Sequence, residues 1–192
     1  VIGLGGRVRA HDSLGALLED IGALAPHPDN PRNGDLDTIS ESILTNGLYR
    51  PVYAQRSTGM ILAGNHTYAA ALGLGATKLP VVWLDVDNML ARRILLGDNR
   101  IADLGSYDQA QLLDVLHLVQ ADDGLLGTGY LDEDVVRIEA LLAEIERESL
   151  DGLEELAPPR FGIIVECGSE REQRDLLAQF AADGISARPV IA

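Results

Sequence analysis

Apolar residues along this chain fall into short blocks whose period changes from one element to the next. Leu36, Ile39, Ile43 and Leu44 recur at helical spacing behind Asp35 and Asp37, either of which can cap a helix start, and Gly47 after Asn46 suits its stop. Pro51 to Gln55 and Met60 to Ala63 read as strands flanking Ser57-Thr58-Gly59, the pattern of a hairpin. Asn65 to Leu74 is built of helix formers, and Leu79 to Val86 is β-branched and apolar, a strand with Pro80 near its start. Asp87 caps a short helix, Asn88 to Leu96, which Gly97-Asp98-Asn99-Arg100 is expected to interrupt. Asp108 caps the next, with Leu112, Leu113, Val115, Leu116 and Val119 at helical spacing. Asp132 opens a long one that reaches about Ser149.

The remaining segments carry weaker patterns. Residues 1–20 have no clear period and are expected to form an arm, Ile21 to Leu24 a short strand, and Ala25 to Gly34, with three prolines, a rigid loop. After a Pro- and Gly-containing linker at 150–159, Phe161 to Val165, Glu170 to Ala182 and Ala187 to Ile191 read as strand, helix and strand. Such a unit is too small to bury its own sheet face and needs another surface, on the main domain or on a second copy.

The junction at Gly64 is the leading candidate for a working site. A buried strand ending at Ala63 must turn at once into a helix starting at Asn65, and glycine takes the dihedrals this requires. The first turn of that helix points free N–H groups and the positive end of its dipole outward, a setting for a phosphate or carboxylate. Asn65, His66 and Thr67 put an amide, an imidazole and a hydroxyl on the same turn. The plainer alternative is that Asn65 only caps the helix and His66 only packs.

Composition narrows the classes. No apolar run among the 192 residues approaches the length needed to cross a bilayer, and the first ten residues do not resemble a signal peptide, so a cytoplasmic protein is expected. One cysteine, Cys167, excludes an internal disulfide, and the four histidines lack metal-ligand spacing, so neither zinc nor haem is expected. The net charge of −15 disfavours indiscriminate nucleic-acid binding. Most of the acidity lies late: residues 1–120 hold nine Lys/Arg against thirteen Asp/Glu, residues 121–192 six against seventeen. Glu144, Glu146 and Glu148 read most simply as a solvated helix face.

Several pieces in order over residues 20 to 105 resemble the ParB N-terminal domain, the fold shared with sulfiredoxin. They are Asn30-Pro31-Arg32 at the end of the Pro-rich loop, Asn46-Gly47-Leu48 after the capped helix, Ile61 to Gly64 leading into a helix, and Asp98-Asn99-Arg100. The Ala63-Gly64-Asn65-His66-Thr67-Tyr68 run, and Asp98-Asn99-Arg100 followed by Tyr107-Asp108, look most like ParB-like proteins of bacteriophages and mobile elements. The resemblance implies an α+β fold: a ParB/sulfiredoxin-like mixed small sheet flanked by helices over 21–105, a helical extension over 106–149, and a C-terminal β-α-β unit over 160–192. Relatives of this fold bind CTP as partition proteins, cleave DNA, phosphorylate serine, or reduce a sulfinic acid. Where partition proteins have Gly-Glu-Arg-Arg this chain has Gly64-Asn65-His66-Thr67, without the two arginines. Asn65 also replaces the cysteine nucleophile of sulfiredoxin, which excludes that chemistry.

Three readings follow. In the first, a nucleotide (CTP or ATP) with Mg²⁺ binds through Gly64, Asn65, His66 and Thr67, with Arg32, Asn99 and Arg100 approaching from other sides, in a DNA-associated protein. A triphosphate's charge, about −4, then calls for a divalent ion, with Asp98 as its ligand. In the second, a metal-assisted nuclease or phosphotransferase uses His66 for proton transfer and Asp98 for the metal. In the third, the fold is a non-catalytic module whose acidic C-terminal part binds a protein partner or a second copy. The helices from Asp108 and Asp132 lack basic faces, so DNA is expected to be reached through a partner or a local face. Convergence of Arg32, Arg100 and His66 on one pocket based at Gly64 favours ligand binding; divergence favours the module.

Overall fold

In the computed structural model, which describes residues 1–154 and 163–189, the chain opens with a tight antiparallel ladder of β1 (Ile2–Gly3) on β2 (Arg9–Ala10). Leu4, Val8 and Ala10 are buried in the main core. Residues 1–20 are therefore not the expected arm. Gly5 and Gly6 turn the chain at φ of 99° and 53°, which leaves the apolar residues around them without a period to read. A 3-10 turn (Asp12–Leu17) leads to β3 (Leu18–Asp20). Ile21–Ala23 is a second such turn rather than the expected strand, because the Asp20 carboxylate accepts the Gly22 N–H and closes it. β4 (Ala25–Pro26) is short and carries a proline, in keeping with its place at a sheet edge.

Local signals set the next elements. α1 (Leu36–Asn46) starts where Asp35 accepts the N–H groups of Asp37 and Thr38, and stops at Gly47, whose φ is 71°. β5 (Val52–Gln55) and β6 (Met60–Ala63) make the hairpin, followed by α2 (Asn65–Gly73) and β7 (Lys78–Leu84). The sheet has the order β3-β7-β5-β6-β4. β7 and β5 run parallel, as do β6 and β4, and the other two pairings are antiparallel. Val52, Ala54, Ile61, Leu79 and Val81 of the sheet share one core with Ile43 of α1 and Ala70 and Ala71 of α2. The architecture is the expected α+β arrangement, a small mixed sheet flanked by helices.

α3 (Asn88–Asp103) runs unbroken through Gly97, correcting the interruption expected there. A glycine costs a helix interior about 1 kcal/mol, and contacts made by the second half of α3 with the Pro-rich loop offset it. α4 (Gln109–Asp122) and α5 (Asp132–Glu154) enclose a smaller cluster of Leu116, Leu125 and Val135. The loop between them is clamped to α1: the Gly127 N–H donates to Glu41 Oε1 at 2.9 Å, and Asn46 Nδ2 donates to the Gly127 carbonyl at 2.9 Å. A Cβ at position 127 would lie 2.7 Å from Thr45 Cβ, so only glycine permits this approach.

The chain divides into two compact units, Val1–Arg147 and Glu148–Ala192. α5 extends to Glu154, into the segment expected as a linker, whose residues 155–159 lie outside the described ones. In the second unit α6 (Glu170–Ala182) forms as expected, with the Ser169 hydroxyl accepting the Glu172 N–H. The two strands expected around it are not formed at residues 163–165 or 187–189, and residues 161–162 and 190–191 lie outside the described ones. Ile163 and Ile164 are 92% and 84% exposed. Among the described residues no helix is long and apolar enough to cross a membrane.

Candidate functional site

β6 passes into α2 through Gly64, whose φ of 92° and ψ of 24° lie in the left-handed region. A Cβ there would also sit 2.8 Å from Val52 Cγ1, so the position needs glycine on two counts. No side chain caps α2; its first bond is from the Tyr68 N–H to the Gly64 carbonyl at 2.9 Å. The N–H groups of Asn65, His66 and Thr67 have no protein acceptor among the described residues. Gly64 to Thr67 form one wall of a cavity of about 520 Å³, closed by the Pro-rich loop, α1, the segment before β5, and α3.

Polar contacts fix the Pro-rich loop against α3. Arg92 Nε donates to Asp29 Oδ2 at 2.9 Å, Asn99 Nδ2 to Asn30 Oδ1 at 3.1 Å, and Arg32 Nη1 to the Asn99 carbonyl at 3.1 Å; Arg32 Nη1 also lies 3.0 Å from Asp103 Oδ1. Residues 92, 99 and 103 share one helix face because they are spaced by seven and four. The hydrogen bond from Arg92 holds the Asp29 carboxyl below its usual range. Residue 65 fixes the other end of the loop. The Asn65 Oδ1 accepts the His27 N–H at 3.0 Å, and its Nδ2 donates to the Ile61 carbonyl at 3.1 Å, both buried. The oxygen and one N–H of this amide are thus engaged inside the protein.

His66 is also engaged. Its Nε2 lies 3.0 Å from the Arg32 carbonyl, which can only accept, so Nε2 is the donor in this contact. The ring packs on Gly34, where a Cβ would meet Cγ at 2.6 Å. Its contacts make it a support of the loop.

Of the other residues singled out by sequence, Arg32, Gly64, Thr67, Asp98 and Asn99 line the cavity with Asn65 and His66, whereas Arg100 does not. On a continuous α3, Arg100 is turned about 100° from Asn99 and is exposed. Asp98 lies on the cavity wall, and among the described residues no three His, Cys, Asp or Glu side chains converge as a metal cluster. Asp35 is occupied with capping α1, and hydrogen bonds led by the Thr38 N–H lower its pKa.

Arg50 is a cavity residue that sequence did not single out. The hairpin held the signal. In an antiparallel pair, residues just before the first strand lie beside residues just after the second, and Tyr53 pairs with Ala63. Arg50 is thereby brought beside the start of α2.

No family model and no curated protein matches the chain. Among solved structures, it resembles the C-terminally truncated chromosome-partitioning protein ParB from Caulobacter crescentus complexed with CTP-gamma-S, at a TM-score of 0.55 over 72% of this chain and 86% of that one. The chain has a ParB-like fold. At 19% identity this likeness concerns the fold alone. The truncated ParB of the same organism complexed to the centromeric parS site matches 88% of this chain and 93% of that one at 18% identity; its TM-score of 0.37 is too low to compare the arrangements.

Proposed function

We infer that this chain is a nucleotide-binding, DNA-associated ParB-like protein that holds its ligand's phosphates at the start of α2. The observation that carries this reading is an uncapped helix start, with three N–H groups lacking protein acceptors among the described residues, forming one wall of a 520 Å³ cavity. Oriented N–H groups and the helix dipole suit an anion, and the volume falls in the range of small-molecule sites. The solved ParB in complex with CTP-gamma-S supports a nucleoside triphosphate as the ligand class.

The charge balance of the cavity bears on how such a ligand is held. Arg32 and Arg50 are offset by Asp35 and Asp98 on the same walls. A free triphosphate meets little net attraction there, whereas its Mg²⁺ complex has its charge roughly halved and offers Asp98 a cation. Mg²⁺ sites at phosphates take most ligands from phosphate and water and need only one or two carboxylates. DNA association is assigned to a local face or a partner, since the net charge of −15 opposes general attraction to a duplex. The Ala63 to Tyr68 motif supports a phage or mobile-element type.

Calorimetry with CTP, ATP, ADP and GTP, with and without Mg²⁺, tests the reading. One nucleotide binds, and more tightly with Mg²⁺. Thr67→Glu puts a carboxylate where phosphate belongs while keeping a residue favourable at a helix start; it abolishes binding at unchanged Tm. Failure of every nucleotide to bind the wild type would sink the proposal and leave the fold as a protein-interaction module.

A further inference from the structure

Two arginines line the cavity, and they are in different states. Arg32 Nη1 is engaged by the Asn99 carbonyl and by Asp103, which pairs its charge. Arg50 has no side-chain hydrogen bond or ion pair among the described residues. Its backbone, by contrast, is tightly framed. Leu48 is 3% exposed, its N–H donates to the Arg9 carbonyl at 2.8 Å, and its own carbonyl accepts the His11 N–H at 3.0 Å. Pro51 follows Arg50 directly and restricts it to extended conformations, and Val52 then enters the sheet. A fixed backbone thus places an exposed arginine, without a side-chain partner among the described residues, on the wall of the cavity that also holds the first turn of α2.

Resting on the nucleotide-binding reading, we propose that Arg50 is the side chain that binds the ligand's phosphates opposite the α2 N-terminus, and that Arg32 is a positioning residue for the Pro-rich loop. A guanidinium offers forked donors that match phosphate oxygens. The Arg32 charge is already met by Asp103, and its Nη1 is held by that carboxylate and the Asn99 carbonyl, which anchors the side chain on α3. The cation that this chain lacks on α2 itself is therefore supplied from the segment before β5, across the hairpin.

The test is calorimetry with the Mg²⁺ complex of whichever nucleotide binds the wild type, run on Arg50→Ala, Arg50→Lys, Arg32→Ala and the double variant Arg50→Ala with Thr67→Arg. Arg50→Ala weakens binding by about tenfold or more with Tm unchanged, and the dependence of Kd on salt becomes shallower. Arg50→Lys, which keeps charge but loses the fork, falls between. Thr67→Arg in the Arg50→Ala background restores affinity, because residue 67 lines the same cavity. Arg32→Ala lowers Tm as well as affinity. Wild type that binds while Arg50→Ala binds within about twofold of it overturns the assignment of Arg50 and leaves the nucleotide site standing. Wild type that binds no nucleotide overturns both.

Discussion

Replacing Asn65 by alanine separates a structural amide from a ligand-binding one. Asn65 is 9% exposed and holds two buried groups, the His27 N–H through Oδ1 and the Ile61 carbonyl through Nδ2. Truncation leaves a donor and an acceptor without partners. Each such orphan costs about 1–3 kcal/mol, so a combined loss of about 2–4 kcal/mol is expected once some water entry is counted. For a body near 150 residues, each kcal/mol corresponds to roughly 2–4 °C in Tm, which makes the expected fall on the order of 5–15 °C. Asn65→Asp keeps the acceptor and loses the donor, and places a carboxylate oxygen against the Ile61 carbonyl. It is therefore destabilised too. Urea unfolding followed by fluorescence of Trp83, which sits on β7 with its indole N–H on Glu19 Oε1 at 3.1 Å, reports directly on the sheet. A stability loss below about 0.5 kcal/mol for Asn65→Ala, accompanied by loss of nucleotide binding, would refute this account and return the amide to the ligand.

Two further variants test the loop and the cap. Gly34→Ala drives a Cβ to 2.6 Å from His66 Cγ and is expected to cost roughly 1–3 kcal/mol. Adding His66→Ala relieves part of that cost, so a double-mutant cycle by denaturant unfolding gives a coupling clearly different from zero. Asp35 has a pKa lowered by the Thr38 N–H and hydroxyl and the Asp37 N–H, so its contribution to stability is full above the ordinary value of 3.8 and is lost as pH falls through the lower folded value. Thermal unfolding of wild type and Asp35→Ala against pH checks the sign: the gap between them stays open near neutrality and closes at strongly acid pH.

Much of the fold was readable because its signals are local. Asp35 and Gly47 bracket α1, Asp108 starts α4, and Met60 to Ala63 meets Asn65 across a glycine, each set by a few adjacent residues. The N-terminal segment was not, because Leu4, Val8 and Ala10 reach the core through glycine turns rather than through a repeating face. At α3 the local signal misled. Gly97 is a helix breaker by propensity alone, and the ties of Asn99 and Asp103 to a loop some seventy residues earlier outweigh it. That same continuity turns Arg100 away from the cavity.

The sequence by itself determined that a strand would meet a helix at Gly64, since that follows from dihedrals and from residues in direct succession. Only the tertiary structure decided which side chains stand around that start. The oxygen and one N–H of the Asn65 amide are held by His27 and Ile61, Nε2 of His66 by the Pro-rich loop, and Nη1 of Arg32 by α3, while Arg50 has no side-chain partner among the described residues. Hydrogen-bonding capacity is written in the residue type, but whether it is already spent depends on groups brought close by chain segments tens of residues away.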